Sequence, residues 1–414
     1  MAYVRGTSRR RSISLVAVTA LLCSEAVSAD RTMKNSWVGT WSCSPQLVET
    51  RNMPPAPGLA GNTLRQIAHV TLGGQQIRLR FSNEFGNAPL SLVSVHIALP
   101  AEPGAIRADT DRTVNFGGQP AVSIPSGALM FSDPVGLPLA PLSDIAVSIQ
   151  FGQVPEDVTG HPGSRETSYL SAGNQVSSAT LPSPVATDHW YVLDGIDVAT
   201  QGKAGALVTL GDSITDGRGS LTNQNTRWPD DLARTFAAGK KTANVGVLNE
   251  GIGGNRILQD GLGPNALSRF DRDVIGQTGI RWLIVLEGVN DIGTAKAAAG
   301  PGAPSTVAAD VILAYKQFIL RAHAHGVRIY GGTITPFAGS SYANASTLRD
   351  WDAVNDWIRT CNQFDGVIDF DKAVRDPRNP EQLDPAADSG DHLHPNSEGY
   401  RRMAAAVDPA WFTK

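Results

Sequence analysis

The stretch ALVTLGDSIT, residues 206–215, runs apolar for the length of a strand and then breaks at Gly211-Asp212-Ser213. Two readings of that break compete. Gly, Asp and Ser are ordinary turn residues, each suited to a reversal for its own reason. A serine held at the rim of a sheet is also where a nucleophile would stand. The neighbouring segments decide between them.

From about residue 203 to the end the rhythm is strand, helix, strand, helix. GALVTLG, NVGVLNEG, RWLIVLEG, VRIYGGTI and GVIDF read as five strands. WPDDLARTFAAG, STVAADVILAYKQFILRAHAHG and TLRDWDAVNDWIRTC read as helices between them. Alternation of this kind predicts a parallel sheet covered on both faces, with chemistry beyond the carboxyl ends of its strands. Upstream, from about 36 to 197, the character is β throughout. TLRQIAHVTLGGQQIRLRFSNEFG, LSLVSVHIAL, DIAVSIQFG and HWYVLDGIDVAT alternate or run apolar between frequent Gly, Pro and Asn. That pattern predicts a β-sandwich, jelly-roll-like domain over 30–200, followed by an α/β domain over 201–414.

The first 29 residues read as a secretory leader: Arg9, Arg10 and Arg11, then an apolar run, then Val27-Ser28-Ala29. The run is too short for a permanent span, so a secreted or periplasmic location is expected, with no stable membrane insertion. Cutting near Ala29 removes Cys23 and leaves Cys43 and Cys361. Two cysteines make neither a zinc site nor a disulfide framework, and whether they pair stays open. Across all 414 residues 41% are hydrophobic, 18% charged, and the net charge is -4. A chain of that kind is globular and offers no basic field for nucleic acid.

Four polar segments fall where the chemistry should be. Gly211-Asp212-Ser213 follows the first strand, NEGIGGNR (249–256) the second and GVND (288–291) the third. DHLHPN (391–396) lies near the C-terminus. Each alone is weak, since a glycine-rich loop is usually a turn and an asparagine usually a cap. Together they hold the parts of an acyl-transfer site. Ser213 needs a base to take its proton, and His394 is the candidate. Asp391, three residues earlier, is placed to hold the imidazole in one tautomer. The backbone N–H groups of Ser213 and Gly254 and the amide of Asn290 are candidate donors to an oxyanion.

These segments resemble the four blocks of the SGNH, or GDSL-type, hydrolases: GDSIT, GIGGN, GVND and DHLHP match in order and spacing. The resemblance covers about 203–412. GGTITPF, VNDWIR and FDGVIDFDKAVRDP are further similar to one bacterial branch of that family. The branch carries an N-terminal β domain and is often described as esterases acting with xylan-degrading enzymes. The resemblance implies a flavodoxin-like three-layer α/β/α fold with five parallel strands. It also implies a Ser213–His394–Asp391 triad, an oxyanion hole of Ser213, Gly254 and Asn290, and neither cofactor nor metal. No Gly-x-Ser-x-Gly elbow occurs, which argues against an α/β-hydrolase fold.

The expected activity is hydrolysis of carboxylic, in particular acetyl, esters on a polysaccharide or oligosaccharide. Two alternatives stand beside it. A lipase or lysophospholipase would share the site but prefer long acyl chains. A carbohydrate-binding protein with a relic hydrolase domain would not turn over at all. Other residues take plainer readings: His392 as loop surface, His323 and His325 as a helix end, His69 and His96 as packed or surface groups, and Asp291 as a turn cap. Trp228 reads as core beside Pro229, and Arg256 as either a substrate contact or surface. Trp37, Trp41, Tyr169, Trp190 and Tyr191 would serve glycan binding only if exposed.

Overall fold

The computed structural model describes residues 1–4, 6, 36–200, 202–295 and 307–413. The arginine cluster, apolar run and cleavage site of the expected leader lie outside the described residues. Contacts gather Asn35–Lys414 into one compact unit.

Within that unit the C-terminal half carries a five-stranded parallel sheet. Gly205–Gly211, Val245–Gly251, Ile280–Leu286, Arg328–Gly332 and Gly366–Ile368 pair in the spatial order second, first, third, fourth, fifth. Gly205–Gly211 is buried at every position, which is why its sequence runs apolar instead of alternating. Helix Trp228–Ala238 packs on Ser397–Ala405, and Val307–Ala324 on Ala345–Thr360. The order of strands reverses between the first and the third, and a crevice at the carboxyl ends is the usual consequence. Ser213 stands just past the end of the first strand.

The N-terminal half is β-rich. One antiparallel sheet joins Ser36–Ser42, Leu193–Thr200 and Gly74–Ser82, with Leu129–Phe131 and Val135–Leu139 beside the last. A larger one centres on Thr63–Val70, Ser143–Phe151 and Leu90–Ala98. A small third sheet of Trp190–Tyr191, Thr159–His161 and Gln46–Leu47 extends toward the crevice. A β-rich region followed by a mixed α/β region is therefore the architecture, as the sequence rhythm implied.

The two regions share polar contacts as well as apolar ones. Gly39 N–H donates to Thr278 O at 2.9 Å, and Val247 N–H donates to Thr71 Oγ1 at 3.0 Å. Ser44 Oγ lies 2.7 Å from a Glu250 carboxyl oxygen and 2.8 Å from one of Asp273. Val38, Leu72, Val247 and Leu248 are buried in the same apolar cluster.

The rhythm did not reveal two one-turn helices, Ser213–Asp216 and Val289–Gly293, at the strand ends. Four or five residues carry no readable period. Asp212 starts the first of them by accepting a hydrogen bond from Ile214 N–H at 2.9 Å. Cys43 is buried, Cys361 partly so, and both are free thiols. Among the described residues no helix is long and apolar enough to cross a membrane.

Candidate functional site

The four polar segments converge. Ser213 Oγ is 2.8 Å from His394 Nε2, and His394 Nδ1 is 2.7 Å from Asp391 Oδ2. Asp391 Oδ1 accepts from the backbone N–H of His394 at 2.8 Å and of Leu393 at 3.0 Å. The spacing of three residues thus lets one carboxylate cap its own loop and hold the imidazole. Burial raises the Asp391 carboxyl's affinity for protons. The hydrogen bonds from His394 and Leu393 overcome that effect and hold it down at about 2. Burial depresses the His394 imidazole below its ordinary 6.5, Arg218 and Arg165 push the same way, and the Asp391 bond opposes them. At neutral pH the ring is an unprotonated base with Nδ1–H committed to the carboxylate.

The strand end is built for close approach. A Cβ on Gly211 would lie 2.2 Å from Thr215 Oγ1 and 2.6 Å from Leu286 O, so only glycine lets the serine turn fold back on the sheet. Asp212, wholly buried, is pushed up to about 7 by burial, with Asp291 adding to the rise. Gly254 sits at φ +72°, in the left-handed region that favours glycine.

Three donors on residues that line the cleft are unspent. Among the described residues neither Ser213 N–H nor Gly254 N–H has a hydrogen-bond partner. Asn290 Nδ2 donates one hydrogen to Asn255 O at 2.8 Å, and Asn290 Oδ1 accepts from Tyr342 Oη–H at 2.9 Å. Because a carbonyl oxygen only accepts, the atom facing Asn255 O must be the amide nitrogen, and its second hydrogen stays available. Asp291 accepts from Ile257 and Leu258 N–H at 2.8 and 3.0 Å, so it caps the loop that follows Gly254. The asparagine and glycine segments are therefore tied to each other.

Arg269, which no motif singled out, organises the floor. Fully buried, its guanidinium donates to Gly211 O at 3.0 Å, Glu250 O at 2.7 Å, Asn255 Oδ1 at 3.0 Å and Ser44 Oγ at 2.8 Å. One side chain thus joins the ends of two strands, the glycine loop and the β-rich region. The only sequence signal was an arginine inside a short apolar run, ALSRF. His161 was also missed. It donates from Nδ1 to Ser44 O and meets Asp216 Oδ1 through Nε2, both at 2.9 Å. Asp216 ends the helix that begins at Ser213, so the β-rich region grips the serine helix directly.

These groups open onto a cleft of about 400 Å³ whose walls come from both regions. Gln46, Glu49, Asn52 and His189 line it from the β-rich side; Leu262, Tyr342 and Leu393 line it from the other. Residues given plainer readings lie elsewhere. His392 bonds Asp388, His323 bonds Asp365, and His325 meets Arg321 O. His69 and His96 pair with Asp144 and Asp111. Trp228 is core, and Arg256 folds back on Asp260 O. Trp41, Trp190 and Tyr191 are buried, while Trp37 is covered by Arg78. Among the described residues no group of three or more His, Cys, Asp or Glu is placed to hold a metal.

Residues 209–402 match the GDSL-like Lipase/Acylhydrolase family. Among solved structures, a GDSL-like lipase from Bacteroides thetaiotaomicron is similar at 19% identity, over 50% of this chain and 86% of its own, with a TM-score of 0.36. An acetylxylan esterase from Geobacillus stearothermophilus is similar at 20% identity, over 50% of this chain and 93% of its own, with a TM-score of 0.38. No curated protein matches the chain.

Proposed function

With residues 209–402 a GDSL-like lipase/acylhydrolase domain, and so an ester hydrolase, we propose that Ser213, His394 and Asp391 act as a serine esterase triad on short acyl, chiefly acetyl, esters of a glycan. The observation that carries this reading is the unbroken chain from Ser213 Oγ to His394 to Asp391, beside three unspent donors.

His394 takes the Ser213 proton as the oxygen attacks the ester carbonyl. Negative charge then develops on the former carbonyl oxygen, which the N–H groups of Ser213 and Gly254 and the amide of Asn290 are aimed to receive. Asp391 stabilises the imidazolium without taking its proton. The proton passes to the leaving alcohol, and water, activated by the same histidine, releases the acid from the acyl-enzyme.

The walls support a short acyl group and a polar alcohol. Gln46, Glu49, Arg51, Asn52, Arg165, His189 and Arg218 give the lining a polar share at least as large as its apolar one. A long acyl chain would need an apolar groove, which weighs against the lipase alternative. The binding-protein alternative would leave the paired hydroxyl, imidazole and carboxylate without a role. We further read residues 1–29 as a leader removed on export, 30–200 as an accessory β-sandwich that walls the cleft, and 201–414 as the catalytic domain.

Release of p-nitrophenol from the acetate ester by wild type and Ser213→Ala tests the enzyme reading; turnover that survives the substitution would end it. Acetate, octanoate and acetylated xylan compared side by side test the substrate. Preference for octanoate would establish the lipase alternative.

A further inference from the structure

We propose that the ester accepted by this site carries a negative charge on its alcohol part, held by Arg51, Arg165 and Arg218. The inference deepens the serine-esterase reading and rests on it.

Three guanidinium groups line the cleft that holds Ser213 and His394, two from the β-rich region and one from the serine loop. Among the described residues none of the three makes an ion pair. The carboxylates nearby are held by groups other than these arginines. Asp216 is buried with Oδ1 on His161 and Oδ2 unpartnered, Asp391 is on His394, and Glu49 accepts from Gln46 Nε2 at 3.2 Å and Asn52 Nδ2 at 2.8 Å. Guanidinium groups without a carboxylate partner in a concave site are suited to bidentate binding of a carboxylate or sulfate through their terminal nitrogens.

The backbones that carry two of them are fixed near the nucleophile. Arg218 N–H donates to Ser213 O at 2.8 Å, and Tyr400 Oη–H donates to Arg218 O. Arg165 holds φ +51°, receives Asn223 N–H at 3.0 Å and donates from Nε to Gly217 O at 3.4 Å. Such a left-handed arginine is costly and is retained where surrounding contacts demand it.

Chemistry assigns the charge to the alcohol side. In the proposed reaction His394 hands its proton to the leaving alcohol, so that part of the substrate lies beside the imidazole. Arg165 and Arg218 both act on that imidazole and disfavour its protonated form. For a neutral substrate they oppose the imidazolium that the reaction requires. An anionic alcohol bound against them offsets this repulsion as the transition state forms, so the charge promotes kcat as well as binding.

The test uses the full-length protein and charge-matched probes. Acetate release is measured from an O-acetylated methyl glucuronoside and from its uncharged methyl ester, at low salt and at about 0.5 M salt, where exposed charges are screened. The free acid is expected to exceed the ester about tenfold in kcat/KM at low salt, a value set by one partly screened charge pair, with the margin shrinking at high salt. In Arg165→Gln and in Arg218→Gln the ratio of acid to ester is expected to fall toward one. Equal rates on the two probes in wild type would overturn the proposal. So would a ratio untouched in both variants. If p-nitrophenyl hemisuccinate gains over p-nitrophenyl butyrate while the glucuronoside pair shows no difference, the charge belongs on the acyl side and the alcohol assignment falls. Failure to hydrolyse any probe would instead remove the serine-esterase reading beneath it.

Discussion

Replacing Tyr342 by Phe isolates how the Asn290 amide is aimed. Tyr342 Oη–H donates to Asn290 Oδ1 at 2.9 Å, and Asn290 Nδ2 donates to Asn255 O at 2.8 Å. The two bonds fix the amide plane from opposite ends and leave one N–H free, which in the proposed reaction serves the oxyanion. Removing the hydroxyl deletes one neutral hydrogen bond, worth about 0.5–1.5 kcal/mol. Because Asn255 O still pins the nitrogen, that loss should appear as about a 2- to 10-fold fall in kcat, at about 1.4 kcal/mol per decade. Asn290→Ala removes the donor itself and should cost about 100- to 1,000-fold. Steady-state hydrolysis of p-nitrophenyl acetate reads both, with KM expected to change little, since the donor matters most once charge has developed. Gly293→Ala should resemble Tyr342→Phe by a steric route, because its Cβ would sit 2.1 Å from the Tyr342 ring. An unchanged kcat in Tyr342→Phe would refute the aiming role. A loss as large as that of Asn290→Ala would show that Tyr342 acts on the substrate directly.

Four further outcomes are expected. Plotted against pH, kcat/KM should rise as the His394 imidazolium loses its proton. The midpoint should lie below the ordinary 6.5, because burial and two arginines depress the group; a midpoint above 7 would contradict this. Asp391→Asn removes the partner that raises that value and fixes the tautomer, so the midpoint should move lower still and kcat fall about 1,000- to 10,000-fold. Gly163→Ala would place a Cβ 1.9 Å from Asp216 Oδ2, and urea titration should show a loss of about 1–3 kcal/mol, as for other overpacked positions. A fragment covering 201–414 should be poorly soluble, since it bares Val247 and Leu248 and takes Ser44 from Arg269; a soluble fragment with full esterase activity would contradict the shared core.

The pattern of apolar runs determined the most about this chain by itself. Fully buried strands such as Gly205–Gly211 and Ile280–Leu286 must be apolar at nearly every position, so their order along the chain was legible, and with it the change from β-rich to α/β near residue 200. The positions of Ser213, Gly254, Asn290 and His394 were legible too, because each lies in a short segment next to a strand end or the C-terminal loop. Tertiary structure decided what joins those segments. Arg269, His161 and Tyr342 each reach a partner 50 or more residues away, and a buried contact between distant residues leaves no local period or spacing in the sequence. The same holds for the cleft, whose arginines come from a short helix and a loop of the first half and from the serine loop of the second.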